Sequence, residues 1–119
     1  MSERGSASLL GAAISAIILI LGLTVVTVAG IVSAAFAART AAEAAALAAV
    51  SPVVADPLAA ARGVAALNRA VLVECRCPVA GAPPPVRAHV MVQTVVDVPF
   101  FGELILPGES SAEYVPEGW

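Results

Sequence analysis

Few side chains in this 119-residue chain are of types that do chemistry: His89, Cys75 with Cys77, Ser110 with Ser111, and acidic residues such as Glu103, Glu109, Glu113 and Glu117. A histidine serves as acid, base or metal ligand. His89, however, lies between Arg87 and Met91 on the polar side of an alternating stretch, the place of an exposed surface residue. A zinc site needs three or four ligands, and two cysteines with one histidine on the opposite strand face do not supply them. Ser110 and Ser111 have no base within a recognisable motif to activate a hydroxyl. No glycine-rich phosphate loop is present, and the acidic residues are dispersed in the manner of a solubilising surface. The expectation is a non-enzymatic chain with no cofactor and no metal.

Cys75-Arg76-Cys77 leaves several readings open. Residues two apart on a strand point the same way, with Cα atoms about 6.5 to 7 Å apart at the usual rise, near the upper limit for a disulfide. An intramolecular bond would distort the strand. The two residues act as small buried hydrophobes on its inner face, or they form a bond within the chain or to another chain in an oxidising compartment.

The elements that must position these residues are dominated by an uncharged 34-residue run from Gly5 to Ala38, flanked by Arg4 and Arg39. A bilayer's hydrocarbon core takes about 20 apolar residues as a helix. The run would reach about 51 Å at 1.5 Å per residue, so its far end leaves the lipid as a protruding stalk. Three readings compete: a cleaved signal peptide with Ala35-Phe36-Ala37 as its cleavage site, a plain single-pass anchor, and a pilin-type helix that is later withdrawn to pack against copies of itself. A signal peptide's apolar core is only about 7 to 15 residues, well short of this one.

Composition bounds the remainder. The chain is 60% hydrophobic and 13% charged with a net charge of −3. The excess acid lies beyond the stalk, and no basic patch is available for nucleic acid. Six arginines without a lysine, with abundant Ala and Val, fit a high-GC bacterial genome. About 70 to 80 residues remain for a folded part, one small domain with a thin core.

From Arg39 to Ala49 helix propensity stays high, and the helix is expected to run on to Ser51-Pro52, where the residue before proline leaves the helical region. Asp56-Pro57 is a start signal for a second helix. In it Leu58, Ala61, Ala65 and Leu67 are expected inward, and Arg62 and Arg69 outward. From Val71 the period becomes two, placing Val71, Val73, Cys75 and Cys77 on one face of a strand. A Pro/Gly-rich loop from Pro78 to Pro85 leads to the clearest strand. Val86, Ala88, Val90, Val92, Thr94, Val96 and Val98 form its buried face; Arg87, His89, Met91, Gln93, Val95 and Asp97 form its solvated one. For the third strand Ser110 to Val115 is favoured over Leu104 to Leu106, because Pro107-Gly108 interrupts the earlier candidate. The fold class expected is α+β: a long N-terminal transmembrane and stalk helix, a second short helix and a small antiparallel sheet of about three strands. The small residues Gly11, Ser15, Gly22, Ala29, Gly30 and Ser33, and the alanines from 41 to 49, would let another helix approach closely. Gly11, Gly22, Gly30 and Ala45 are the candidate packing positions, although alanine is also simply common in GC-rich genomes.

The start Glu3-Arg4-Gly5-Ser6-Ala7-Ser8 leading into the apolar run, the segment Ala41-Ala42-Glu43-Ala44-Ala45-Ala46-Leu47-Ala48-Ala49, a strand ending near Cys75 and alternating valine-rich strands together resemble the TadE-like minor pilins and pseudopilins of tight-adherence (type IVb) pilus systems, in the short form of high-GC Gram-positive bacteria. The resemblance implies a leader over residues 1–5, a transmembrane and stalk helix over 6–51 and an extracytoplasmic α+β domain over 52–119. It implies a prepilin peptidase cutting between Gly5 and Ser6. The partners it implies are membrane lipid, the major pilin and other minor pilins, and the Tad inner-membrane platform. The location implied is the cytoplasmic membrane, single-pass, with the N-terminus inside and the domain outside, and from there a surface pilus.

Two departures stand out. Type IV pilins usually carry a glutamate at the fifth residue of the mature chain, and here that residue is Leu10. Family members also tend to have a second cysteine well upstream of the strand cysteine, whereas here it is two residues away, so that pairing does not carry over. The alternatives to a pilin are a single-pass accessory protein of an envelope or export complex, and a small domain secreted after signal cleavage.

Overall fold

The computed structural model describes residues 3–118. Helix α1, Glu3–Val50, is 48 residues long and unbroken. It is followed by α2 (Pro57–Leu67), β1 (Val71–Arg76), β2 (Val86–Val98) and β3 (Gly102–Tyr114), giving the α+β architecture expected, with one antiparallel sheet ordered β1-β2-β3. The whole measures 83 × 28 × 16 Å, a rod with a small body folded against one end. The helix stops at Val50, just before Ser51-Pro52.

Local signals set α2. The Asp56 carboxylate accepts from the Ala59 backbone N–H at 3.2 Å, and Pro57 occupies the first turn. At the other end Ala70 N–H donates to the Ala65 carbonyl and Arg69 N–H to that of Ala66, closing the helix around a left-handed residue. That residue is Arg69, at φ 60°, so it does not share the outer helical face with Arg62 as the seven-residue spacing implies. Its carbonyl accepts from the Thr94 hydroxyl at 3.1 Å, which ties the end of α2 to β2. Ala61 and Ala65 are buried as expected; Leu58 and Leu67 are exposed, the latter by 84%, because α2 lies against α1 only along its alanines.

The core is made of small residues. Ala41, Ala42, Ala45, Ala46 and Ala49 of α1 meet Ala61 and Ala65 of α2 and Ala88, Val90 and Val92 of β2. Val90 and Val92 are the largest side chains fully buried. The alternation read for β2 holds along its length, with Val98 buried and Arg87, Gln93, Val95 and Asp97 exposed. In β1 the expected face holds for Cys75 and Cys77 but not for Val71 and Val73. Leu72 pairs with Val92 but Glu74 with Met91, so Val73 is an extra residue and the strand bulges there. Leu72 and Cys75 therefore point to the core, while Val71 and Val73 are exposed.

The third strand is longer than expected. It runs through Pro107 and Gly108, which pair with Gln93 and Val92, and extends to Gly102 opposite Val98. Proline is tolerated because β3 is an edge strand, where an N–H can face solvent. Glycine is needed because the strand crosses α1 almost in contact with its backbone. A Cβ on Gly108 would lie 2.5 Å from the Ala38 carbonyl carbon, closer still to its oxygen, and 3.0 Å from the Arg39 nitrogen.

Beyond the last pairing of β1, Val71 with Gln93, strands β2 and β3 continue as a two-stranded ribbon down the side of α1. Its turn is closed by the Phe101 N–H donating to the Val98 carbonyl, with Pro99 second and Phe100 third at φ 70°. Such a type II turn ordinarily takes Gly or Asn at the third position. A bulky side chain there costs on the order of 1–2 kcal/mol.

These contacts set a contrast between two glycines. Gly108→Ala should destabilise the full chain by about 1–3 kcal/mol, because neither backbone can retreat without unpacking the seam. Gly63→Ala, in α2 where a Cβ meets nothing within 4 Å, should stabilise by up to about 1 kcal/mol. Thermal unfolding in detergent micelles reads both.

Candidate functional site: the exposed face of the N-terminal helix

At 3.6 residues per turn, positions eleven apart lie almost directly above one another on a helix. Gly30 and Ala41 share such a line, as do Ala34 and Ala45, and these lines face the sheet and its ribbon. Gly11, Gly22 and Ser33 share another, beside Val25, Phe36 and Leu47, on the side of α1 turned away from the sheet. That outer side carries no charge from Gly5 as far as Ala37, is then crossed by Thr40 and the exposed Arg39–Glu43 ion pair, 3.2 Å apart, and is apolar again at Leu47. Phe36 is 65% and Leu47 63% exposed, and Val25 and Val32 are exposed with them.

The four candidate packing positions thus have different surroundings. Gly11 and Gly22 sit on the outer side, and a Cβ at either would meet nothing within 4 Å. Gly30 is on the ribbon side and lines an open cleft with Val96, Asp97, Val98 and Pro99, although a Cβ there too would meet nothing within 4 Å. Ala45 is fully buried in this chain's own core, so the alanine run serves mainly to seat the sheet and is not open to a neighbouring helix. The physical reason is that a sheet of valines needs small residues on the facing helix as much as a second helix would. Gly5 and Ser6 lie in the first turns of α1, with Ser6 exposed.

The segment of α1 before the body is long and apolar enough to cross a membrane as a single helix, and none of its most apolar stretch is buried by the rest of the chain. Its two threonine hydroxyls are internally satisfied where lipid would offer no partner. Thr24 and Thr27 donate to the carbonyls of Ile20 and Leu23, each at 2.8 Å.

Cys75 and Cys77 are bonded to each other, with Cα atoms 5.1 Å apart. The separation expected of a continuous strand does not apply, because β1 ends at Arg76 and Cys77 belongs to the loop. Both still pack against the core, as expected of small inner-face residues.

The register of β2 and β3 brings together a group that motif reading missed. Ser111 pairs with His89, and its Oγ lies 2.6 Å from His89 Nδ1, while Nε2 lies 2.7 Å from a Glu109 oxygen. Only the pairing register of two strands 22 residues apart could have revealed this base beside Ser111. The group lies on the outer sheet face beside the cross-strand pair Arg87–Glu113, whose nearest charged atoms are 3.3 Å apart. Bridging a hydroxyl and a carboxylate of β3, the imidazole fastens the two strands on their solvated side. Among the described residues no group of three or more His, Cys, Asp or Glu is arranged to hold a metal ion.

The chain matches no family model, no curated protein and no solved structure. What it can do is therefore read from its own surfaces, of which the outer side of α1 is the most extensive.

Substitutions on the two sides of α1 should separate cleanly. Gly22→Leu should leave the melting temperature of the body unchanged, since it touches nothing within the chain. Ala45→Leu should lower stability by about 1–3 kcal/mol by overfilling the core. Circular dichroism melts of the full chain in the same detergent make the comparison.

Proposed function

We propose that this chain is a membrane-anchored minor pilin or pseudopilin of a Tad-like type IVb pilus or a related secretion apparatus. The observation that carries the reading is the uncharged outer side of α1, which continues past the length a bilayer needs and is first interrupted by charge at the exposed Arg39–Glu43 pair. From Val25 to Phe36 the helix rises about 17 Å, and over that length its inner side lies along the ribbon while its outer side keeps Val25, Val32 and Phe36 exposed. A plain anchor has no use for such a stripe outside lipid. A subunit whose helix packs against those of its neighbours does, with Gly11 and Gly22 allowing close approach lower on the same side.

In this reading the N-terminus is cytoplasmic and the body lies outside, where oxidising conditions sustain the Cys75–Cys77 bond. A prepilin peptidase cuts between Gly5 and Ser6. The role is structural and not catalytic, with lipid, the major pilin, other minor pilins and the membrane platform as partners. The second reading, a single-pass accessory protein of an envelope or export complex that never enters a filament, is favoured by Leu10. That residue cannot neutralise a neighbouring subunit's N-terminal amine as the usual glutamate does.

Intact-mass measurement on protein extracted from cells with an active prepilin peptidase tests the reading. The expected mature chain begins at Ser6. A chain beginning at Met1 or Ser2 would remove the pilin reading, and one beginning near Ala38 would establish a secreted domain. With Ser6 confirmed, Gly22→Leu should still insert in the membrane but be lost from sheared pili; undiminished incorporation would favour the accessory protein.

A further inference from the structure

The tip of the β2–β3 ribbon carries two phenylalanines that nothing among the described residues covers. Phe100 is 89% and Phe101 85% exposed. Phe100, moreover, occupies the turn position at φ 70° where Gly or Asn would sit without strain. An aromatic held there against its backbone preference, with no partner inside the chain, points to an apolar partner outside it.

The position of the tip along α1 identifies that partner. Pro99, Phe100 and Phe101 lie beside Leu23, Thr24, Thr27 and Val28. A hydrocarbon core of about 30 Å takes up about 20 helical residues. Counted from Gly5, the first residue after Arg4, these end at Thr24. The tip therefore stands level with the outer boundary of the bilayer that α1 crosses. Asp97 and Glu103 face each other across the ribbon immediately above it, both exposed. Two carboxylates at that height resist deeper insertion, since charge is costly in hydrocarbon, and they hold the phenylalanines at the headgroup and acyl boundary, where aromatic side chains are favoured.

We infer that the Phe100–Phe101 tip is a second membrane contact, seated in the outer interfacial layer of the bilayer, which fixes the depth and tilt of the body relative to its anchor. This rests on the reading of α1 as a membrane span, and it is independent of whether the chain enters a filament.

The test uses the full chain in phosphatidylcholine vesicles, with Trp119 replaced by Phe and a single tryptophan introduced in turn as Ile17→Trp, Phe101→Trp or Val79→Trp. Emission is quenched either by aqueous iodide or by lipids brominated at shallow or deep positions of the acyl chain. The tip proposal expects Ile17→Trp to respond to deep bromine and Val79→Trp, in the loop at the far end of the body, to iodide. Phe101→Trp should show blue-shifted emission, respond most to shallow bromine and lose its iodide quenching. If Ile17→Trp responds as expected but Phe101→Trp behaves like Val79→Trp, the span stands and the tip proposal falls. If Phe101→Trp is shielded from both iodide and bromine, protein covers the tip, and the lipid assignment is overturned. Iodide quenching at Ile17→Trp would remove the span itself, and the tip proposal with it.

Discussion

The sheet can lie on α1 only because almost nothing stands between them. At the crossing of β3 over Ala38 the two backbones are so close that a single methyl group on Gly108 has no room, and above it the helix offers alanine after alanine to Ala88, Val90 and Val92. This closeness limits the energy available. Hydrophobic stabilisation follows the apolar area removed from water, and a core whose largest fully buried side chains are valines removes little of it. The seam has to be continuous to suffice, which makes the body intolerant of any added volume along that line. It also locks the ribbon at one height on the helix, so the distance between the membrane span and every feature of the body is fixed by a contact near its middle.

With one side of α1 occupied by the sheet, the other is left to whatever surrounds the molecule. In the lower half a lipid-facing surface is apolar all round. In the upper half the two sides have different duties, and the outer one keeps Phe36 and Leu47 exposed on either side of the solvated Arg39–Glu43 pair. The spacing of Val25, Phe36 and Leu47 keeps these residues in one line over about six turns of helix. A single exposed hydrophobe needs no explanation; several aligned on one side of a helix long and apolar enough to cross a membrane are what the proposed helix-to-helix packing would cover. In the proposed pilin, Leu10 removes one specific contact of assembly and leaves the side-to-side packing of helices untouched.

Much of this was legible in residue order. The uncharged run, its continuation to Ser51-Pro52, the Asp56-Pro57 start of α2 and the alternation of β2 are all local signals that the fold obeys. What escaped was decided by neighbours in space. The bulge at Val73 shifts half of β1 to the other face, which a period-two count cannot register. Pro107-Gly108 reads as a strand break because those residues disfavour strands on their own, yet an edge position accommodates the proline and the approach of α1 requires the glycine. Ala45 reads as a helix-packing residue, and it is one, but the surface it packs on belongs to its own chain. His89, Ser111 and Glu109 are unremarkable one at a time and form a bonded group only through the pairing of β2 with β3.

The ribbon and the outer side of α1 make opposing demands on the molecule. Were the chain anchored in a bilayer as proposed, its lower helix and aromatic tip would lie in lipid, while Phe36 and Leu47, on either side of the exposed Arg39–Glu43 pair, would stand in water. Entry into a fibre would cover that outer side and draw the tip out. Removing two phenylalanines from an apolar layer costs about 3–6 kcal/mol if they go uncovered, so the tip acts against extraction unless a neighbouring subunit receives it. Such a neighbour, displaced along the fibre, would have to present an apolar surface at the height of Leu23 to Val28, and in the subunits' shared geometry that surface is another stretch of α1. A chain that keeps its tip in lipid is retained at the membrane, whereas one whose tip exchanges lipid for a neighbouring helix can leave it. If the chain is a pilin subunit as proposed, the same two residues bear on whether it stays at the base of the assembly or travels with it.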